Sequence, residues 1–230
     1  MDYKRFKHIS FDLWLTLIKS NPEFKRKRSR LLAVYFDISF DLDHINSTIK
    51  KYDILFNRMS EVSGKHVSKD HMWLVILNEL GCKIEGLTQQ KMRDFNIQAE
   101  QLFLENMPVL IDENTDKIFS KITAQGITIS LLSNTGFIEG HLLRKLLAGW
   151  DLEKYFSFQL YSDETGLAKP GSAAFDSLFY YIQKIKPAHK SEILHVGDNR
   201  IADEIGAQNF GLSTLLLNPN QKISMLIKDK

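Results

Sequence analysis

Asp12, Asp198 and Asp203 are the carboxylates around which chemistry could be built. Asp12 closes the short apolar run His8-Ile9-Ser10-Phe11 and has Thr16 four residues behind it; Asp198 follows Gly197 after an apolar run, with Asn199 next and Asp203 one helical turn on. Two further polar groups stand between them, Ser133-Asn134-Thr135-Gly136 and Lys169-Pro170. A carboxylate such as Asp12 can attack an electrophile and form a covalent intermediate that water later hydrolyses, or it can simply cap the turn that follows. Ser133 and the backbone N–H groups of Asn134 to Gly136 fall where a strand is expected to give way to a helix start, which suits anionic oxygens and equally suits helix capping. Lys169 offers a point charge, or is a surface lysine ahead of a helix opening with Pro170. Asp203 sits in the first turn of a helix, where its charge is favourable in any case and where side chains lean back toward the N-terminus.

The elements that carry these residues follow from periodicity. Strands are expected at His8–Phe11, Ile127–Leu132, Phe158–Tyr161, Ile193–Val196 and Ser213–Leu217. Helices at about 113–125, 137–148, 171–185 and 200–209 separate them, and that alternation implies a parallel sheet with helices on both faces. Between the first strand and the rest lie four amphipathic helical patterns, at about 22–36, 42–62, 68–81 and 88–107, bounded by Asp41, Gly64, Ser68, Gly81 and Pro108. About 90 residues of helix are too many for a connecting loop. The spacing therefore predicts an all-helical domain at residues 18–107 inserted into an α/β domain of residues 1–17 and 108–230.

In an open parallel sheet, ligands bind beyond the carboxyl ends of the strands. Asp12 with Thr16, Ser133 and Asp198 follow such ends, with Lys169 in a later loop and Asp203 in the first turn of the next helix. Three carboxylates gathered around one lysine would repel and raise one another's pKa, unless a divalent cation holds them ionised. Mg²⁺, with its preference for oxygen ligands and retained waters, suits the role.

With those residues in view, the chain resembles the haloacid dehalogenase superfamily. In that family an Asp-x-Asp-x-Thr motif, a strand-ending Ser or Thr, a Lys and a Gly-Asp-x-x-x-x-Asp motif form one site. The matches here are Asp12 to Thr16, Ser133 in LLSNTG, Lys169 in GLAKPG, and Gly197-Asp198 to Asp203 in HVGDNRIAD. The resemblance implies a Rossmann-like core and a helical cap in the place of the insertion. It implies Asp12 as nucleophile, Ser133 and Lys169 as its catalytic partners, and Thr16, Ser133, Asn134 and Lys169 around the substrate. It also implies Mg²⁺ held by Asp12, the Trp14 backbone carbonyl, Asp198 and Asp203. The expected substrate is a small anionic, phosphorylated metabolite.

One position departs from the family pattern. Its phosphatases carry a second Asp two residues after the nucleophile as general acid and base, and this chain has Trp14 there. An indole can neither give nor take that proton, and loss of such a group costs roughly 10²- to 10⁴-fold. Three readings stand: a phosphatase for substrates whose leaving group needs little protonation, such as an acyl phosphate or pyrophosphate; a 2-haloacid dehalogenase-like hydrolase, since halide leaves unprotonated; and a phosphate- or metal-binding module with little turnover. Trp14 favours the second, and the acidic pair Asp198 and Asp203 favours the first.

Composition sets outer bounds. With 230 residues, 43% hydrophobic and 25% charged, the chain can bury a full core. A formal charge of +2 makes no case for nucleic acid. The run Lys25-Arg26-Lys27-Arg28 with Arg30 reads first as a solvated helix face, with an inward-pointing cation as the alternative. Tyr35, Phe36, Tyr52, Phe56 and Trp73 read as helical core. The expected N-terminus is a basic cluster entering a strand, with no apolar run of membrane length. Cys82 stands alone, without a zinc-like cluster, so a reducing, cytoplasmic setting is expected.

Overall fold

A computed structural model describes residues 2–227. Its centre is a five-stranded, all-parallel sheet: β1 (His8–Phe11), β4 (Thr128–Ser133), β5 (Phe156–Tyr161), β6 (Ile193–Gly197) and β7 (Ser213–Leu216). The strand order is β5-β4-β1-β6-β7, which places β1 in the middle. Its register pairs Phe11 with Leu131 on one side and Val196 on the other. Parallel strands need crossovers, and helices α5 (Thr115–Thr123), α6 (Gly140–Gly149), α8 (Ser172–Ile185) and α9 (Gly206–Phe210) supply them. A short turn of helix, α7 (Ser162–Thr165), follows β5.

Alternation along the strands feeds two cores. Ile9, Phe11, Ile129, Leu131, Leu194 and Val196 point to the face covered by α5 and α6. Leu132, Leu160 and Ile193 point to the face covered by α8 and α9, where Phe175, Leu178 and Ile182 meet them. That second face also carries a buried polar seam. The His8 ring lies between Thr128 Oγ1 at 2.7 Å and Ser130 Oγ at 2.8 Å, and Ser10 Oγ lies 3.1 Å from His195 Nδ1. Burial pushes the His8 imidazole down to about 3, so it is neutral wherever the protein is folded near neutrality.

Between β1 and α5 the chain leaves the sheet through β2 (Ile18–Lys19) and returns through β3 (Val109–Leu110), which pair antiparallel. The main elements between are four helices: α1 (Pro22–Phe36), α2 (Leu42–Ser63), α3 (Lys69–Glu79) and α4 (Gln89–Glu105). The boundaries are chemical. The Asn21 side chain accepts from Glu23 N–H with Pro22 at the first helical position, Asp41 accepts from His44 N–H, and Thr88 accepts from Lys91 N–H. Gly64 ends α2 at a φ of 66°, a left-handed position that favours glycine.

The insert has a hydrophobic cluster of its own. Leu32, Ile45, Ile49, Phe56, Trp73, Ile76 and Phe95 are buried together, and the Phe95 ring packs against Tyr35, Phe36 and Trp73 at centroid distances of 5.0 to 5.5 Å. Phe36, Phe56 and Trp73 are core, as expected, and Tyr35 and Tyr52 pack on the margin of the same cluster. Phe137, from the loop after β4, inserts into it with its ring 4.4 Å from Trp73. β2 and β3 escaped sequence reading, because two residues per strand are too short to show an alternation. No helix among the described residues is long and apolar enough to cross a membrane.

Candidate active site

β1 ends at Phe11 and hands over Asp12, whose N–H still donates to the Val196 carbonyl at 2.8 Å. The strand is central and paired on both sides, so Asp12 emerges buried, 7% exposed, between the ends of β4 and β6. Immediately after it the chain turns back on itself. Leu15 takes a φ of 60°, its N–H donates to the Ile18 carbonyl, and Leu17 and Ile18 donate to the Leu13 carbonyl. This tight turn swings Thr16 under the carboxylate, with Thr16 Oγ1 3.2 Å from Asp12 Oδ2 and 3.4 Å from Asp198 Oδ1.

Two groups converge on the other oxygen of Asp12. Ser133, the last residue of β4, donates to Oδ1 at 3.2 Å, and Lys169 Nζ donates to the same atom at 2.8 Å. Lys169 also donates to Asp203 Oδ1 at 2.6 Å and is 1% exposed. What holds it there is Asn134. The Asn134 amide accepts from Lys169 N–H at 2.8 Å and donates to the Lys169 carbonyl at 2.9 Å, a two-point clamp on that residue's backbone.

Asp203 is fixed from three directions. Besides Lys169, His195 Nε2 lies 3.1 Å from Oδ1, and Asn199 N–H donates to Oδ2 at 2.9 Å. A methyl group at Gly197 would overlap the Asp203 carboxylate, so glycine is required for the close approach. Ligand oxygens of Asp12, Asp198 and Asp203 all lie within 4.8 Å of one another.

The electrostatics follow from that crowding. Burial raises Asp12, and Asp203 adds to the rise while Lys169 opposes it. Burial pushes Asp198 up to about 7, with Asp12 and Asp203 adding to the effect. Burial also works against Asp203, but Lys169 and the His195 hydrogen bond outweigh it and hold this carboxylate below its ordinary range. Burial works against Lys169 too, and Asp12 and Asp203 overcome it, so the ammonium is retained. His195 is lowered, chiefly by burial, and stays neutral; its Nε2–H then donates to Asp203 while Nδ1 accepts from Ser10. Three carboxylates thus face one buried ammonium, and burial together with that crowding favours the protonated form of Asp198. A hard divalent cation bound by carboxylate oxygens would take that proton's place, so the donor set fits Mg²⁺.

A cavity of about 670 Å³ opens beside this cluster, within the range of small-molecule sites. Trp14 and Asn134 to Gly136 form its side toward the sheet, and residues of α1 and α2, among them Phe24, Arg28 and Asp53, form the opposite side. Trp14 is half-buried, packed against the sheet's core and turned to this space.

The structure brings Asp12, Thr16, Ser133, Lys169, Asp198 and Asp203 together. It differs over the loop after β4. Helix α6 begins only at Gly140, so Asn134 to Gly136 are not a helix start, and the Thr135 N–H already donates to Ser162 Oγ at 2.8 Å. Anionic oxygens there would meet loop N–H groups without a helix terminus behind them. Within the basic run, Arg28 turns inward and lies over the Phe24 and Phe137 rings at 5.6 and 5.1 Å, whereas Arg30 is exposed. Sequence reasoning passed over His195, Asp53 and Glu61. His195 alone had left a trace, as an imidazole in the otherwise apolar strand Ile193–Gly197.

Comparison with known proteins agrees with this geometry. A sequence pattern described as haloacid dehalogenase-like hydrolase matches residues 6–211. The ribulose-1,5-bisphosphate 5-phosphatase of Halopiger xanaduensis is 31% identical over 215 residues, 93% of this chain and 85% of that protein. Among four curated relatives, the matched region spans from 30% to 85% of the relative's length. Among solved structures, the Bacillus subtilis HAD-hydrolase YfnB, described with magnesium bound, superposes with a TM-score of 0.64 at 20% identity, over 95% of this chain and 92% of that one. The L-2-haloacid dehalogenase of Xanthobacter autotrophicus gives 0.60 at 16% identity, over 92% and 77%. The parallel sheet, the long helical insertion after its first strand and the matched pattern lead to one assignment: the chain belongs to the haloacid dehalogenase-like hydrolase family.

Proposed function

We propose that this chain is a Mg²⁺-dependent phosphatase acting on a small phosphorylated metabolite, with Asp12 as nucleophile and the helical insert at residues 18–107 as a cap over the site. The observation that carries this reading is Asp12 held between Ser133, Lys169 and Thr16, with Asp198 and Asp203 close enough to share a cation with it. Asp12, the Trp14 backbone carbonyl, Asp198 and Asp203 would hold Mg²⁺, and Asp203 also anchors Lys169. Bound there, the cation would neutralise negative charge on the transferred group and keep the carboxylates ionised.

The chain's own residues supply the rest. Asp12 attacks phosphorus, and Lys169 and the Ser133 hydroxyl orient it and face the transferred oxygens. Asn134 keeps Lys169 in place. Residues of α1 and α2 in the insert form one wall of the cavity. Trp14 offers no proton, so a leaving group that departs unprotonated is favoured unless a donor reaches it from elsewhere.

Purified protein should release phosphate from acetyl phosphate, pyrophosphate or an aryl phosphate with Mg²⁺, and Asp12→Asn should abolish release. No release from any of them would end the proposal. Trp14 also supports a second reading, a haloacid dehalogenase. Chloride release from 2-chloropropionate, undiminished by a chelator, would establish that reading instead.

A further inference from the structure

Position 14 cannot protonate a leaving group, and the wall of the cavity opposite Trp14 is formed in part by α2. This helix approaches the sheet's end at three places, tied by hydrogen bonds at two of them, each near a residue that surrounds Asp12. Near its middle, Asp53 Oδ1 lies 3.8 Å from where a Cβ on Gly136 would stand, three residues past Ser133. Two turns on, Glu61 Oε1 accepts from Asn199 Nδ2 at 2.8 Å, next to Asp198. At its end, the Gly64 carbonyl accepts from Ala168 N–H at 3.0 Å, next to Lys169. Asp53, Asn57 and Glu61 are spaced four residues apart and so share one helix face. From Asp53 to Glu61 that face spans about 12 Å at 1.5 Å per residue. That face runs from beside Gly136, after β4, to Asn199, after β6, and a group departing in line, away from Asp12, would depart toward it.

Of the two carboxyl groups on this face, Glu61 is engaged by Asn199 and lies 3.6 Å from Arg58. Asp53 lines the cavity with Trp14, Asn134 and Gly136, and among the described residues no hydrogen bond is made to it. We propose that Asp53, delivered by α2, is the general acid that position 14 does not provide. This rests on the phosphatase reading and widens its substrates to ordinary phosphate monoesters of alcohols. Burial raises Asp53 above the usual carboxylate range while Arg28 and Lys25 restrain the rise, which favours a carboxyl able to carry a proton.

The step balances. An Asp12 oxygen bonds to phosphorus as the phosphorus–leaving-oxygen bond breaks, and its electron pair stays on the leaving oxygen. That oxygen takes the Asp53 proton, and the Asp53 carboxylate remains. Water then attacks the Asp12-bound phosphorus and gives one proton to Asp53 as the bond to Asp12 breaks, releasing phosphate and restoring both carboxyl groups.

The test compares kcat/KM, which reports the steps through transfer to Asp12, for two substrates on one preparation. Acetyl phosphate has a leaving group that needs no proton; ethyl phosphate has one that does. Asp53→Asn should lower the ethyl phosphate value roughly 10²-fold or more, the acetyl phosphate value far less, and Asp53→Glu should recover part of the difference. Because the ratio is taken within one preparation, loss of folded protein cancels. Equal loss on both substrates, an effect on KM alone, or wild-type protein that cleaves acetyl phosphate but no alkyl phosphate overturns the Asp53 assignment and leaves the phosphatase reading standing. Wild-type protein inactive on both but active on pyrophosphate or an aryl phosphate likewise overturns the Asp53 assignment alone, and inactivity on all four overturns that reading and this proposal with it.

Discussion

At the scale of single residues, Asp198 reports the state of the whole site. Its folded pKa of about 7 is well above the 3.8 of an unperturbed Asp. The folded state therefore binds the extra proton, and the stability this group contributes is full below the unfolded value and lost as pH rises through 7. A cation relieves that loss above 7 but must displace a proton below it. Mg²⁺ should accordingly raise the melting temperature more at about pH 8 than at about pH 5.5, and Asp198→Asn should flatten the difference. A shift from Mg²⁺ that is equal at both pH values, or larger at the lower one, would refute this assignment. Asp198 was legible from sequence because it opens a Gly-Asp-x-x-x-x-Asp spacing after an apolar strand, in order with three other motifs. Asp53 was not, because nothing in a helical repeat tells which polar face will meet another domain until the packing is known. The two-point clamp of Asn134 on Lys169 was hidden for a related reason: it joins residues 35 apart that meet only when β4 and the loop before α8 are in place.

At the scale of elements, the insert stands on its own cluster. Phe95 is fully buried and touches three aromatic rings from α1 and α3. Truncating it removes those contacts and leaves a cavity that rigid helices close only in part. Phe95→Ala should lower stability by roughly 3–5 kcal/mol, read from the urea midpoint. A loss under about 1 kcal/mol would mean that the helices are not packed as described. The four helices of the insert were readable nearly to the residue, since caps and apolar stripes both mark them: the 22–36 expectation coincides with α1, and 42–62 falls one residue short of α2. Boundaries around the sheet were less exact. The helix expected at 137 begins at Gly140, because Phe137 is drawn into the insert's core rather than into α6. The segment at 200–209 opens as a wider turn, Arg200–Ile205, before α9, where Asn199 caps the Ile201 and Ala202 N–H groups and Asp203 bends back to Lys169.

At the scale of the molecule, two bodies with separate cores meet over one group of carboxylates. The sheet delivers Asp12, Ser133 and Asp198 from three adjacent strand ends, and α2 of the insert reaches Asn199 beside them through Glu61. Parallel order is what makes this possible, since all five strands end on the same side and the chain's distant segments come together there. The order of motifs and the long helical insertion made that organisation legible from sequence, whereas the contacts between the two bodies depend on surface shape that no periodicity encodes. The claim on which the account turns is that Asp12 carries the phosphoryl group. Protein mixed with acetyl phosphate and Mg²⁺, quenched in acid, digested and examined by mass spectrometry tests it most directly. The account predicts a phosphorylated peptide modified at Asp12, absent with a chelator and absent in Asp12→Asn; phosphate released at full rate with no modification of Asp12 at any time point would contradict it.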